Sequence, residues 1–216
     1  MATASVSLGQ KVAMGIVATI PPVLVAIGVI FGVQSWFPHF GTPIAQRALL
    51  MTEPFNVRGS VEFNGTVTWR AVDGDNGAEI VGDLAIPVQG THIVLTFSKN
   101  TDKTLPASHL IEVATSQLAG SRAGPVAKIG DLVAKPAPDT AGTALVGDVV
   151  NVDEHLFWIA LSQLSVDRSS NLRLLAASPF FSLPVTYASG RSAVVTFEKG
   201  NTGFAVFQKV LTEWGP

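Results

Sequence analysis

The sequence predicts a mainly β domain of α+β, β-sandwich-like character with two helices, preceded by one transmembrane α-helix. Three observations carry this reading. Residues 12–46 contain no Asp, Glu, Lys or Arg. Beyond them, apolar residues recur at every second position in run after run, with Gly, Asn, Asp and Ser between the runs. Two segments near the C-terminus instead return apolar residues every three or four positions. Period two is the spacing of a half-buried strand, and three to four that of an amphipathic helix.

The chain has 216 residues, 47% hydrophobic and 14% charged, against about 25% charged in an ordinary soluble domain. Much of that imbalance lies in residues 12–33, VAMGIVATIPPVLVAIGVIFGV, which are uncharged and mostly apolar. As a helix rising about 1.5 Å per residue, they match a hydrocarbon core about 30 Å thick. Trp36 follows where an indole suits the headgroup interface. The expected organisation is a short cytoplasmic tail over 1–11, a signal-anchor helix over 12–36, a spacer over 37–46 and an extracytoplasmic β-rich domain over 47–216. A cleaved signal peptide fits less well: its apolar core runs about 7–15 residues before an A-x-A-like site, and here the run is longer and Pro43 stands three residues before such a site near Ala45.

Pro21 and Pro22 predict a kink in the helix. Gly28 and Gly32 form a GxxxG, with Gly15 and Thr19 as a second small pair. Small residues one turn apart let a neighbouring helix approach closely. The expected partners are therefore the lipid bilayer and other transmembrane helices or membrane-complex subunits. A long polar domain behind one early helix is expected to translocate, placing residues 38–216 outside the cytoplasm.

Composition excludes several chemistries. With no cysteine there is no disulfide framework, thiol nucleophile, iron–sulfur cluster or covalently attached haem. A net charge of −2 with scattered basic residues offers no stripe for phosphate neutralisation, so nucleic acid is not an expected partner. No cofactor is expected.

Within the domain, Ile93, Leu95 and Phe97 share one face of residues 92–98, and Ala193, Val195 and Phe197 one face of 192–198. Similar runs occupy 61–72, 79–87, 107–114, 144–150, 155–161 and 182–188. Turns are expected at Asp73-Gly74-Asp75-Asn76-Gly77, Gln89-Gly90, Asn100-Thr101-Asp102-Lys103 and Ala188-Ser189-Gly190. Asn64-Gly65 is either a type I′ hairpin turn or a bulge in one long strand. Ser165 is placed to cap a helix with Asp167 in its first turn and Leu172, Leu175 and Ala176 on one side, ending before Pro179. A last helix begins near Thr202, with Phe204, Phe207, Leu211 and Trp214 as its sheet-facing stripe. Trp69, Trp158 and Trp214 read as core anchors.

Five stretches carry a resemblance: Arg47-Ala48-Leu49-Leu50, Gly65-Thr66-Val67-Thr68-Trp69-Arg70, Asn100-Thr101-Asp102-Lys103-Thr104-Leu105-Pro106-Ala107-Ser108-His109, Asn171-Leu172-Arg173-Leu174-Leu175 and Glu198-Lys199-Gly200. In this order they resemble a family of uncharacterised alphaproteobacterial proteins whose C-terminal domain often follows a membrane segment. The resemblance covers about residues 47–213, and the stretch from Asn100 to His109 is its most specific part. It implies a bacterial inner-membrane setting and carries no activity with it.

That same stretch is the best candidate for chemistry, because it gathers Asp102, Lys103, Ser108 and His109. A Ser–His–Asp site needs the three side chains to converge, and adjacent strand residues such as Ser108 and His109 point to opposite faces. Asn100, Asp102, Lys103 and His109 therefore read as a turn and as candidate partner contacts, and no catalytic residue is assigned. His39, His92, His109 and His155 show no ligand spacing. Asp73-Gly74-Asp75-Asn76-Gly77 faintly resembles a calcium loop, but the position a bidentate Glu would take is Leu84, so a polar turn is expected and no metal site. Gly120-Ser121-Arg122-Ala123-Gly124-Pro125 lacks the Gly-Lys-Ser/Thr ending of a phosphate-binding loop. It reads as a connection, as does Lys135-Pro136-Ala137-Pro138.

The function expected from these observations is that of a non-enzymatic, single-pass inner-membrane protein with a periplasmic β domain, acting as an accessory or scaffold subunit of a membrane complex. One alternative is a periplasmic ligand-binding or sensing module, with its ligand between the sheet and the last helix. Another is an enzyme of unknown class using His109 or His155.

Overall fold

The computed structural model describes residues 44–52, 59–118, 121 and 124–215, which fall in the compact unit Gly41–Pro216. The expected membrane helix, its prolines and its packing residues Gly15, Thr19, Gly28 and Gly32 lie outside the described residues, as do Gly120, Arg122 and Ala123 of the connection before Pro125. Among the described residues, no helix is long and apolar enough to cross a membrane.

The elements in chain order are β1 (Gln46–Thr52), β2 (Val61–Gly74), β3 (Gly77–Ile86), β4 (Thr91–Lys99), β5 (Ala107–Gln117), β6 (Val126–Ile129), β7 (Val133–Lys135), β8 (Thr143–Ala144), β9 (Gly147–Asp153), β10 (Leu156–Ser162), α1 (Ser165–Ala177), β11 (Phe180–Tyr187), β12 (Ser192–Glu198) and α2 (Gly200–Trp214). A 3-10 turn, Pro87–Gln89, joins β3 to β4. The domain is thus mainly β with two helices. Asn64-Gly65 lies inside the long strand β2, whose first half pairs with β1 and whose second half pairs with β3.

Where alternation suggests two facing sheets, the strands form one curled antiparallel sheet in the order β8-β7-β11-β12-β1-β2-β3-β4-β5-β10-β9, with β6 beside β7 on β11. The reason is local. Period two reports that one face of a strand is buried, not what covers it, and the tight turns make β2–β5 a continuous meander. The covered face carries Leu50, Val67, Leu95, Ile111, Val195 and Phe197, all buried, and α2 packs against β2 and β3.

The two ends of the strand order, β8 and β9, are consecutive in the chain, so residues 143–153 link both ends of the sheet. The segment pairs with β7 at Thr143 and Ala144, then with β10 from Gly147 onward. At the changeover, the Leu145 N–H donates to the Leu132 carbonyl at 2.9 Å. Val146 is held by a side chain: its N–H donates to Asn171 Oδ1, and Asn171 Nδ2 donates back to its carbonyl, both at 2.8 Å. Asn171 is buried on α1, and its amide stands in for the missing strand neighbour.

Three expectations are corrected. Trp158 is half-buried on the outer face, its Nε1 3.3 Å from Glu112 Oε2, while Phe157, Ile159 and Leu161 face inward. Both alternating sets of β10 are apolar, so period alone does not say which faces the core. Ser165 is the first residue of α1 and makes no capping bond. Ser162 acts there instead, donating to Asp167 at 2.8 Å and accepting from the Leu164 N–H at 3.3 Å. On α2 the buried stripe is Gly203, Phe207, Val210 and Trp214; Phe204 and Leu211 are half-buried and flank it on the side facing α1.

Replacing Asn171 with Leu keeps the branched shape but takes from Val146 the partner of its N–H and leaves its carbonyl with only the Ser162 N–H. Losing hydrogen bonds of this kind costs about 0.5–1.5 kcal/mol each. Urea denaturation of Asn171→Leu is expected to show that loss, with faster amide exchange at Val146; unchanged stability would mean the linkage does not need this amide.

Candidate functional site

The turn before β5 is built by side chains acting on their own backbone. Asn100 Nδ2 lies 2.8 Å from the Ala107 carbonyl, 3.0 Å from that of Leu105 and 3.1 Å from that of Asp102. Its Oδ1 accepts the Asp102 N–H at 3.0 Å. The Asp102 carboxylate is engaged locally, accepting the Thr104 hydroxyl at 2.7 Å and the Thr104 N–H at 2.8 Å. These two bonds, the hydroxyl first, hold its pKa below the usual carboxylate value. Lys103 is exposed. The segment is therefore an Asx-type turn, and its acid does not meet the histidine.

Ser108 and His109 do alternate, with His109 buried and Ser108 half-buried, yet His109 Nδ1 lies 3.1 Å from Ser108 Oγ. The direction of this bond decides its chemistry. Ser108 Oγ has one hydrogen and three acceptors in reach, the Ser162 carbonyl at 2.9 Å, the Leu161 carbonyl at 3.3 Å and Nδ1 itself; given to a carbonyl, that hydrogen leaves Nδ1 as the donor to Oγ. A serine nucleophile requires the reverse, with its hydrogen on the imidazole. The other ring nitrogen, Nε2, is buried with no hydrogen-bond partner, and the ring rests on Trp214 of α2 with centroids 4.8 Å apart. Lys99 Nζ donates to the Trp214 carbonyl at 2.7 Å. Burial, and secondarily the charges of Lys99 and Arg168, lower the His109 pKa to about 4.

His155 is exposed in the β9–β10 turn, where its backbone carbonyl accepts the Thr115 N–H at 2.8 Å. His92 Nε2 lies 2.7 Å from Asp83 Oδ1. Asp75-Asn76 forms the turn of the β2–β3 hairpin. Among the described residues, no group of three or more His, Asp or Glu side chains is arranged to hold a metal ion.

A feature that sequence reasoning missed is Lys199, between β12 and α2. It is fully buried, and its Nζ donates to the Leu175 carbonyl at 2.6 Å and to that of Ala176 at 3.1 Å. The ammonium thus caps the negative end of α1. The rings of Phe204, Phe207 and Phe181 lie 4.4, 4.5 and 5.4 Å from Nζ. Burial pulls its pKa down to about 7, while carbonyls and ring faces stabilise the charged form. One charge in an apolar stretch gives no sequence signal beyond its place in Glu198-Lys199-Gly200. Above this lysine, α1 and α2 leave an open groove of about 640 Å³, lined chiefly by Leu172, Ala176, Phe204 and Leu211, with Arg173 and Gln208 also along it.

No protein-family model, curated protein or solved structure matches the chain.

The His109 environment makes a pH prediction. Its folded pKa of about 4 lies below the ordinary imidazole value of 6.5, so the unfolded chain binds more protons between these values. Stability is therefore present above pH 6.5 and falls as pH drops toward 4, by up to about 3 kcal/mol from this group. Denaturation across that window should show a shallower acid loss for His109→Phe than for the parent chain. Parallel curves would mean that His109 is not held neutral by burial.

Proposed function

We propose that the chain is a non-enzymatic, single-pass protein of a bacterial inner membrane, anchored by residues 12–36, whose periplasmic β domain is an accessory or scaffold subunit of a membrane complex. The observation that carries this reading is the fate of the chemistry-bearing side chains. Asp102 closes a turn, Ser108 and His109 join β5 to β10 and α2, and Lys199 caps α1. Each is used to assemble the fold.

The stretches behind the family resemblance have the same character. Trp69 Nε1 donates to the Glu198 carbonyl at 3.0 Å, Asn171 holds Val146, and Asn100 shapes its turn. The resemblance thus supports a shared scaffold, and the inner-membrane setting it implies belongs to this proposal.

The ligand-binding alternative finds some support in the apolar groove between α1 and α2. That groove is open and mostly apolar, with Arg173, Gln208 and Thr212 as its polar lining, and the place expected for a ligand, between sheet and last helix, holds Phe207 and Trp214.

The test is co-purification of the full chain from mild-detergent membranes, with and without Gly28→Ile and Gly32→Ile. A reproducible set of membrane partners, lost on substitution while the domain melts unchanged, is the expected result. Unchanged association would overturn helix docking, and the absence of any partner would overturn the accessory role.

A further inference from the structure

β9 ends the strand order: it pairs with β10 on one side and with no described strand on the other. The phase of that ladder follows from one bond. Leu161 stands opposite Gly147, and the Ser162 N–H donates to the Val146 carbonyl at 3.0 Å. In an antiparallel pair, a bond from the residue after one partner to the residue before the other makes the pair non-hydrogen-bonded. Asp148 and Val150 therefore bond to β10, whereas Val149 and Asn151 turn their N–H and C=O groups outward.

The side chains along this edge have a definite character. Val150 and Val152 are 45% and 42% exposed, and Trp158 stands directly opposite Val150 on β10. The charges around them are Asp148, Asp153, Glu154 and Glu112, and neither β9 nor β10 carries Lys or Arg. Exposed edges are commonly blocked by Lys, Pro or a covering element; this strand has no Lys or Pro.

Resting on the interaction-module reading above, we propose that β9 accepts an added strand: an extended polypeptide segment with apolar residues at alternate positions flanked by Lys or Arg. Outward N–H and C=O groups at every second residue are matched by another extended backbone. Val150, Val152 and Trp158 match its apolar side chains, and the acidic flanks match its basic ones. A second copy of β9 fits poorly, because pairing two copies gathers both sets of Asp148, Asp153 and Glu154 at one seam.

The experiment uses the full chain in mild detergent and a fluorescent peptide, Lys-Thr-Val-Thr-Val-Thr-Lys, read by anisotropy. Three controls accompany it: the peptide with Glu at both ends, the peptide N-methylated at alternate residues, and the chain variants Val149→Pro and Asp148→Lys. Val149→Pro removes an outward N–H and leaves the ladder to β10 intact. Saturable binding of the Lys peptide is expected, weakened about tenfold or more by Val149→Pro and by N-methylation. Asp148→Lys should weaken the Lys peptide and favour the Glu peptide, which decides the matter should Val149→Pro fail to fold. No saturable binding, equal binding of the Lys and Glu peptides, or full binding to a folded Val149→Pro chain would overturn the proposal, as would a dimer that Val149→Pro dissolves. None of these variants touches Gly28 or Gly32, so failure at this edge with membrane co-purification intact rejects strand addition alone.

Discussion

The indole of Trp69 occupies space left by two glycines from different elements. A Cβ on Gly82, its cross-strand partner on β3, would meet the ring at 2.5 Å, and one on Gly203 of α2 at 2.8 Å. Rings of Phe207, Phe197 and Phe97 surround it at centroid distances of 5.1, 6.0 and 6.3 Å. Its Nε1 bonds to the carbonyl of Glu198, the last residue of the strand leading to α2. One side chain therefore joins the β2–β4 meander, β12 and the helix. Truncating a buried aromatic of this size typically costs about 3–5 kcal/mol, a large share of an ordinary domain's stability.

The buried polar groups follow from that docking. With α2 seated by Gly203 and Phe207, the chain just before it brings Lys199 to the end of α1, where two carbonyls receive its ammonium. At the other end of the helix, Trp214 covers His109, and its carbonyl receives Lys99. α1, fixed in this way, presents Asn171 to the point where residues 143–153 pass from one end of the sheet to the other. Burial of an unpaired charge or polar group is unfavourable; Lys199 and Asn171 are placed where backbone groups answer them, whereas the His109 ring is covered by Trp214 and its Nε2 has no hydrogen-bond partner.

Much of this architecture was legible in the sequence, because strand period is a strong signal where a run is long enough. The runs over 61–72, 92–98, 107–114 and 192–198 lie within β2, β4, β5 and β12, and the turn at Asp73–Gly77 is the turn between β2 and β3. β6, β7 and β8 are two to four residues long, too short to display a period. In β1 the adjacent Leu49 and Leu50 blur the alternation. Trp158 sits among apolar residues on both faces of β10, so its outward placement needed the structure. The stripe of α2 was displaced onto Val210 because Gly203, which has no side chain to signal it, faces Trp69. For the candidate site, the separation of Asp102 from His109 followed from turn chemistry and strand period, whereas the partners of His109, Lys199 and Asn171 come from distant parts of the chain.

α2 is part of the core that the sheet curls around. Native-state hydrogen exchange measures this directly, because amides that open only with the whole domain exchange at the global unfolding free energy. Amides at Phe207 and Val210 are expected to exchange as slowly as those at Leu84 and Leu95 in the meander, with all four accelerated equally by Trp69→Leu. Rapid exchange throughout α2 while the meander stays protected would contradict it, making the helix an appendage.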